Sequence, residues 1–373
     1  MRNGFLFVFI LLSAVLHGQT AADYMEQADK DLDNDRYEQA IRGYTRVISL
    51  APGALYAYIN RAIARAQMND ISGAMADYDM AKDIDRTAYQ IYNSRGLLQT
   101  DQKNYHNAID DFDTALMFHP AEPKVLVNRA IAKRHIRDYR DAMSDCDQAI
   151  ISDPSYGYAY YCRAEIRSLY MRPRQSEAAI LDCDTALSLM SERASVYILR
   201  GMVRNDAHDY TGAIQDYEAA LSIEPDDIVI YIDRGVSRHY LRDFEGAIAD
   251  CRMALSLDST YGLAYYNMAN AMDSLGDHKT AIENYTRAIR FEDDPSDAYA
   301  SRGESQLSIG HFKEALADYD LAILANPECG EAYLARAVTN IKLKQNRGAC
   351  DDLRRALEYD KPQAAELLLK YCK

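Results

Sequence analysis

The chain repeats itself. Four segments of 34 residues (21–54, 55–88, 89–122, 123–156), one of 37 (157–193) and five more of 34 (194–227, 228–261, 262–295, 296–329, 330–363) can be laid over one another. This constrains the fold more than any composition does, because so short a segment cannot bury an apolar face alone and must be covered by its neighbours. Position 8 of each segment is Ala or Gly: Ala28, Ala62, Gly96, Ala130, Ala164, Gly201, Gly235, Ala269, Gly303 and Ala337. Position 20, corrected for the longer fifth segment, is Ala throughout, from Ala40 and Ala74 to Ala315 and Ala349. Position 27 is Ala everywhere except Val47. Small residues so spaced are what two helices need where their axes approach.

Between these anchors apolar residues fall three and four apart, as in Tyr217, Ala220, Leu221 and Ile223, which is a helical period. The period breaks near position 15. Asp70, Asn104, Asp138, Asp209, Asp243 and Asp277 stand where a side-chain oxygen can cap a second helix. Pro52, Pro120, Pro154, Pro225 and Pro327 recur near the segment ends, where they cannot continue a helix. Each segment is therefore expected to fold as helix, short turn, helix.

With its aromatic at position 4 (Tyr58, Tyr92, Tyr160, Tyr197, Tyr231, Tyr265, Tyr299, Tyr333), its small residues and its terminal Pro, the pattern resembles the tetratricopeptide repeat. The resemblance covers essentially the whole chain after the first 20 or so residues. It implies an all-α fold, a right-handed superhelical α-solenoid of ten helix-turn-helix units whose first helices line a concave face. Residues 364–373 then read as a capping helix.

The family pattern commonly has Leu at position 7. Here eight repeats carry Arg: Arg61, Arg95, Arg129, Arg163, Arg200, Arg234, Arg302 and Arg336. The same eight carry Asp at position 23: Asp77, Asp111, Asp145, Asp182, Asp216, Asp250, Asp318 and Asp352. The two exceptions lack both, with Gln27 and Gly43 in the first repeat and Met268 and Asn284 in the eighth. Such co-occurrence predicts a structural ion pair between the two helices of a repeat, because a partly buried guanidinium needs a carboxylate. A ladder of cations for an acidic ligand is the less favoured reading, since each Arg is already matched.

The formal charge is −15, which argues against nucleic acid or an anionic membrane as partner, because each phosphate contact needs a cation. With 9 Pro and 17 Gly in a chain that is 48% hydrophobic, the sequence should be folded throughout. The start is different in kind. Arg2, the apolar run Phe5 to Leu16 and the small Gly18 read as a secretory signal, residues 1–18, because a bilayer span needs roughly 20 apolar residues. The expectation is export to the periplasm or outside the cell, with a mature chain beginning near Gln19, no acylated Cys and no later membrane span.

Catalytic and metal motifs are weak. Asp31-x-Asp33-x-Asp35 opens like a calcium loop, but Arg36 and Arg42 stand where Gly and Glu are needed. No Gly-rich phosphate loop, nucleophile elbow or Cys-x-x-Cys occurs, so neither cofactor nor metal nor enzymatic activity is expected. Of seven Cys, Cys146, Cys183 and Cys251 share position 24 and read as small core residues. A disulfide between Cys350 and Cys372 would pin the cap to the last repeat.

In the family the groove is built from positions 2, 5, 6, 9, 12 and 13 of the first helix. Carried onto this chain, that gives aliphatic pairs Ile59 with Ile63, Val127 with Ile131, Ile198 with Met202, Ile232 with Val236, and Leu334 with Val338. Tyr56, Tyr158, Tyr161, Tyr240 and Tyr266 also fall in groove positions. An apolar, Tyr-rich lining suits a polypeptide with aliphatic anchors. The carboxylate-clamp subfamily, which binds acidic tails, uses Lys at position 5 and Asn at position 9, and no repeat here has Lys at position 5. The functional expectation is a non-catalytic scaffold in envelope or secretion-complex assembly. Alternatives are self-association through the same stripe, burial of the stripe by neighbouring repeats, and, less favoured, a glycan-binding protein or enzyme. The insertion in the fifth repeat, around Arg172-Pro173-Arg174, reads as a tolerated loop.

Overall fold

The computed structural model describes residues 20–170, 175–190 and 193–372. The expected export signal and the Arg172-Pro173-Arg174 turn lie outside them. Among the described residues every regular element is a helix, so the protein is all-α. The chain divides into two compact halves, one ending at Ile166 and one beginning at Arg167.

The first half contains α1 (Ala21–Asp33), α2 (Tyr37–Leu50), α3 (Leu55–Gln67), α4 (Ile71–Ile84), α5 (Tyr89–Asp101), α6 (Tyr105–Phe118), α7 (Pro123–His135) and α8 (Tyr139–Ser152). The division falls within α9 (Gly157–Tyr170). The second half continues with α10 (Ser176–Leu189), α11 (Ala194–Asp206), α12 (Tyr210–Ile223), α13 (Ile228–Tyr240), α14 (Phe244–Leu257) and α15 (Gly262–Ser274). It ends with α16 (His278–Phe291), α17 (Ser296–Ser308), α18 (Phe312–Ala325), α19 (Gly330–Lys342), α20 (Asn346–Glu358) and α21 (Gln363–Tyr371).

Helices pack as consecutive pairs, α1 on α2 through α7 on α8 in the first half and α11 on α12 through α19 on α20 in the second. Within each half consecutive pairs stack on one another, as α2 on α3 or α14 on α15, and successive first helices, such as α3 and α5 or α13 and α15, touch along one face. The cause is visible in the sequence. Position 20 is buried in every repeat, and so are the Ala residues of position 27, which lets the axes close. Rings at position 24, including Tyr44, Tyr78, Phe112, Tyr217 and Tyr319, fill the space that remains.

The turn inside each pair is a repeated device. Among the described residues, position 15 adopts a left-handed backbone whether or not it is glycine, as at Asn69 (φ 61°), Arg242 (φ 63°) and Gly276 (φ 85°). A non-glycine there costs about 1 kcal/mol. The next residue then does two jobs. Asp70 donates its N–H to Arg65 O at 2.8 Å, closing the first helix, and its carboxylate accepts the Gly73 N–H at 2.9 Å, opening the second. Asp138, Asp209, Asp243 and Asp277 cap in the same way. Asn104 does not: its side chain makes no capping bond, and the turn is held by backbone, with Asn104 N–H on Gln99 O at 2.8 Å. At the far end Cys350 and Cys372 form a disulfide that ties α20 to the end of α21.

Candidate functional site

Arginine at position 7 is held on three sides. Arg129 donates through Nε to Asp145 Oδ2 at 2.9 Å and through Nη2 to Asp145 Oδ1 at 2.6 Å. The same two-pronged contact joins Arg61 to Asp77, Arg95 to Asp111, Arg200 to Asp216, Arg234 to Asp250, Arg302 to Asp318 and Arg336 to Asp352. Of the remaining two residues, Arg163 lies in the first half and Asp182 in the second. The Asp carboxylates are buried, so the planar fork matches groups that water cannot reach. The Tyr of position 4 packs on the guanidinium, as Tyr58 on Arg61 and Tyr299 on Arg302, with 5.6 and 5.5 Å to the ring centres. Hydrogen bonding to Asp111 holds the Arg95 guanidinium above its ordinary range despite its burial.

Two further contacts escaped the reading of the sequence. Nη1 of the same Arg reaches back to position 25 of the preceding pair: Arg129 to Asp113 and Arg200 to Asp184 at 2.5 Å, Arg163 to Asp147 at 2.7 Å, and Arg61 to Thr45 at 3.0 Å. A second donor at position 11 also reaches the buried Asp. Arg65 meets Asp77 at 2.8 Å, Lys133 meets Asp145 at 2.9 Å, Arg204 meets Asp216 at 2.8 Å, and Arg167 meets Asp182. The signal was there to be read only in part, because Arg252 and Arg354 break the acceptor set at position 25, and Gln99, Gln306 and Asn340 replace the cation at position 11. The eighth repeat changes all three members together: Met268, Met272 and Asn284 replace the usual set, and Asn284 Nδ2 donates to Met272 Sδ at 3.3 Å. These arginines are therefore satisfied within the scaffold and form no free ladder for a ligand.

The residues expected to line a groove divide into two groups. Ile59, Val127 and Ile232 are buried in the cores of their own halves. Ile63 and Ile131 are half-buried against the first core, and Ile198 against the second. The aliphatic stripe is thereby narrowed: at position 5 Ile59, Val127 and Ile232 lie in the core and Ile198 is half-buried, so they offer little open surface. Tyr56, Tyr240 and Met202 are exposed, at 53, 60 and 41%. Exposed Tyr158 stacks on half-buried Tyr161 with ring centres 5.6 Å apart. The exposed residues of the expected groove are thus mostly tyrosine, with Met202 beside them.

Cavities open between successive first helices. One in the first half, of about 240 Å³, lies between α3 and α5 and is lined by Ile63, Gln67, Tyr78, Ser94, Leu97 and Asp101 among others. One in the second half, of about 320 Å³, lies between α13 and α15 over α14, and Val236, Tyr240, Cys251 and Tyr266 contribute to its walls. Both sit at the same repeat positions. Burial, with Asp250 nearby, pushes the Cys251 thiol up to about 12, so it is a neutral, unreactive floor to the cavity. Among the described residues no three potential metal ligands stand together, and Asp31 is instead paired with Arg36 at 2.8 Å.

Helix pairs stacked in series, with pockets between their first helices, define an α-helical repeat protein of the kind whose fold suggests a protein–protein interaction scaffold. Sequence profiles described as tetratricopeptide repeat match residues 25–89, 194–227, 263–295 and 300–365, together just over half of the chain. The chain belongs to the tetratricopeptide-repeat family, whose members are as a rule non-catalytic. Among solved structures it is similar to yeast Tom70, at 16% identity and a TM-score of 0.50 over 94% of this chain and 87% of that one. A human IFIT1 dimer with m7Gppp-AAAA matches at 15% identity and a TM-score of 0.48, covering 92 and 91% of the two chains. MamA matches at 25% identity and a TM-score of 0.39 over 49% of this chain and 97% of its own. These likenesses show the fold and nothing finer. No curated protein matches the chain in sequence.

Proposed function

We propose that the protein is a non-catalytic scaffold that holds another polypeptide along the face of its first helices, the face that the family pattern makes concave. The observation that carries this is the recurrence of a cavity in the same register in both halves, with exposed Tyr240 in the wall of the second, while Tyr56 is exposed at the start of α3, a helix that lines the first. Aromatic, half-wet pockets between rigid helices suit side-chain anchors of an extended or helical segment. The lining speaks for aromatic and polar contacts in place of the aliphatic ones expected from the sequence.

Export to the periplasm or beyond the cell, with a role in envelope or secretion-complex assembly, is part of the same proposal. It is supported by the apolar run from Phe5 to Leu16 and by the Cys350–Cys372 disulfide, a bond that persists in oxidising compartments. No helix among the described residues is long and apolar enough to cross a membrane.

The test is photocrosslinking from Tyr56 and Tyr240, with Met117 on α6 as the control on a second helix. Crosslinks to one polypeptide from the Tyr sites alone support the proposal, and equal yield from Met117 sinks it. A second reading, self-association, is favoured by Met117 and Ile151, which are 77 and 79% exposed at the same repeat position of α6 and α8. Sedimentation of the purified protein as a monomer would remove it.

A further inference from the structure

Positions 8 and 24 face each other inside a helix pair, and their sizes are complementary in three of the four repeats with glycine at position 8. A Cβ on Gly96, Gly201 or Gly303 would stand 2.6, 2.8 or 2.6 Å from the ring of Phe112, Tyr217 or Tyr319. The ring occupies the place of the missing side chain. Gly235 breaks the rule, because Cys251 stands opposite it, and a Cβ on Gly235 would meet nothing closer than Asp250 Cβ at 3.4 Å. Both partners are small, and they line a cavity of about 320 Å³ over α14, against about 240 Å³ where Tyr78 fills position 24 in the first half.

We propose that this cavity is the anchor site for an aromatic side chain of the bound polypeptide, which supplies from outside the ring that the other glycine-bearing repeats supply from position 24. The proposal rests on the reading that the first-helix face holds a polypeptide, and it names the anchor. The walls fit a ring. Tyr240, itself stacked on Tyr210 at 4.8 Å, stands at the mouth, and Tyr266 stands across from it on α15. The floor is the buried, neutral Cys251. The half-buried Asn267 amide makes no hydrogen bond to another described residue, so it can meet a phenol or a peptide group at the rim. Left unfilled, so large a space forfeits contacts that a ring would restore.

The test uses the full chain and the probe N-acetyl-para-fluorophenylalanine amide, followed by fluorine NMR. Saturable binding is expected, weakened at least about tenfold by Cys251→Tyr and about threefold by Gly235→Ala. The leucine analogue should compete at least about tenfold less well. Cys251→Tyr recreates the pairing seen at Gly201 and Tyr217, and its urea midpoint should match or exceed that of the parent. If it fails to fold, Gly235→Ala carries the test. Binding unchanged in the variants, or equal competition by the leucine analogue, overturns the proposal. A random dodecapeptide library separates it from the parent reading. Peptides that bind the parent chain but tolerate both Cys251→Tyr and loss of their aromatic residue leave the scaffold standing and overturn the anchor. Retention of the probe with no peptide retained overturns both, and marks a small-molecule site.

Discussion

Gly303 lies so close under Tyr319 that a single added methyl carbon would stand 2.6 Å from the phenol ring. Gly303→Ala must therefore push the ring or the helix aside, at a cost of about 1 to 3 kcal/mol. Gly235→Ala meets only ordinary van der Waals contacts, the nearest at 3.4 Å, loses glycine's excess chain entropy, and should stabilise by up to about 1 kcal/mol. Urea unfolding of the two variants measures both, and equal shifts would refute the size rule between positions 8 and 24.

The three-membered ion cluster makes a sharper prediction. Asp216 is buried and receives both Arg200 and Arg204, so Asp216→Ala removes the buried partner of two cations, leaves Arg200 only Asp184, and should cost about 3 kcal/mol. Replacing Arg200, Arg204 and Asp216 together by Met, Met and Asn copies the arrangement of Met268, Met272 and Asn284. That triple variant should lose no more than about 1 to 2 kcal/mol. A triple variant less stable than Asp216→Ala would show that the cluster is valued for more than mutual neutralisation.

Asp233 gives the pH dependence. Burial, with Asp227 adding to it, pushes its carboxyl up to about 6. The unfolded chain has an ordinary carboxyl near 3.9, so between these values the folded state holds the extra proton. Stability from this group therefore falls as pH rises through that window, and the full penalty stands at neutral pH. Asp233→Asn should gain roughly 2 kcal/mol at about pH 7 and nothing below about pH 3.5. Paired urea titrations at the two pH values give the answer, and a gain that persists in acid would reject the assignment.

Thiol chemistry tests the C-terminal end. Cys146, Cys162, Cys183, Cys251 and Cys329 are free and buried, so an aromatic disulfide reagent should find almost none of them before unfolding and all five after it. Reduction should then expose seven. Opening the bridge between Cys350 and Cys372, 22 residues apart, should cost about 3 kcal/mol of chain entropy and loosen α21 first. Seven reactive thiols without reductant would mean that the bond does not form.

The helices, their turns and the Arg–Asp partners could be read from spacing alone, because each depends on contacts inside one period. What could not be read depends on the neighbouring period. Ile59 and Ile63 look alike on a helical wheel, yet the adjoining pair buries the first and leaves the second half-covered. Asn104 has the composition of a cap without the bond, because an amide must turn one particular end to the N–H while a carboxylate can use either. The cavity at Gly235 was legible only in the comparison of two positions that lie sixteen residues apart.

Because Nη1 of Arg61, Arg129, Arg163, Arg200, Arg302 and Arg336 grips the pair before it at position 25, the array behaves like a ruler with regular graduations. Excising residues 89–122 whole would bring Arg129 against Asp79, an acceptor Arg95 already approaches at 3.9 Å, in place of Asp113. The cut should heal, and the shortened chain should still unfold in a single cooperative step, whereas removing half a period would leave every following guanidinium facing the wrong surface. Length in such a protein is free to drift by recombination in whole steps, and its reach can evolve without redesign of its joints.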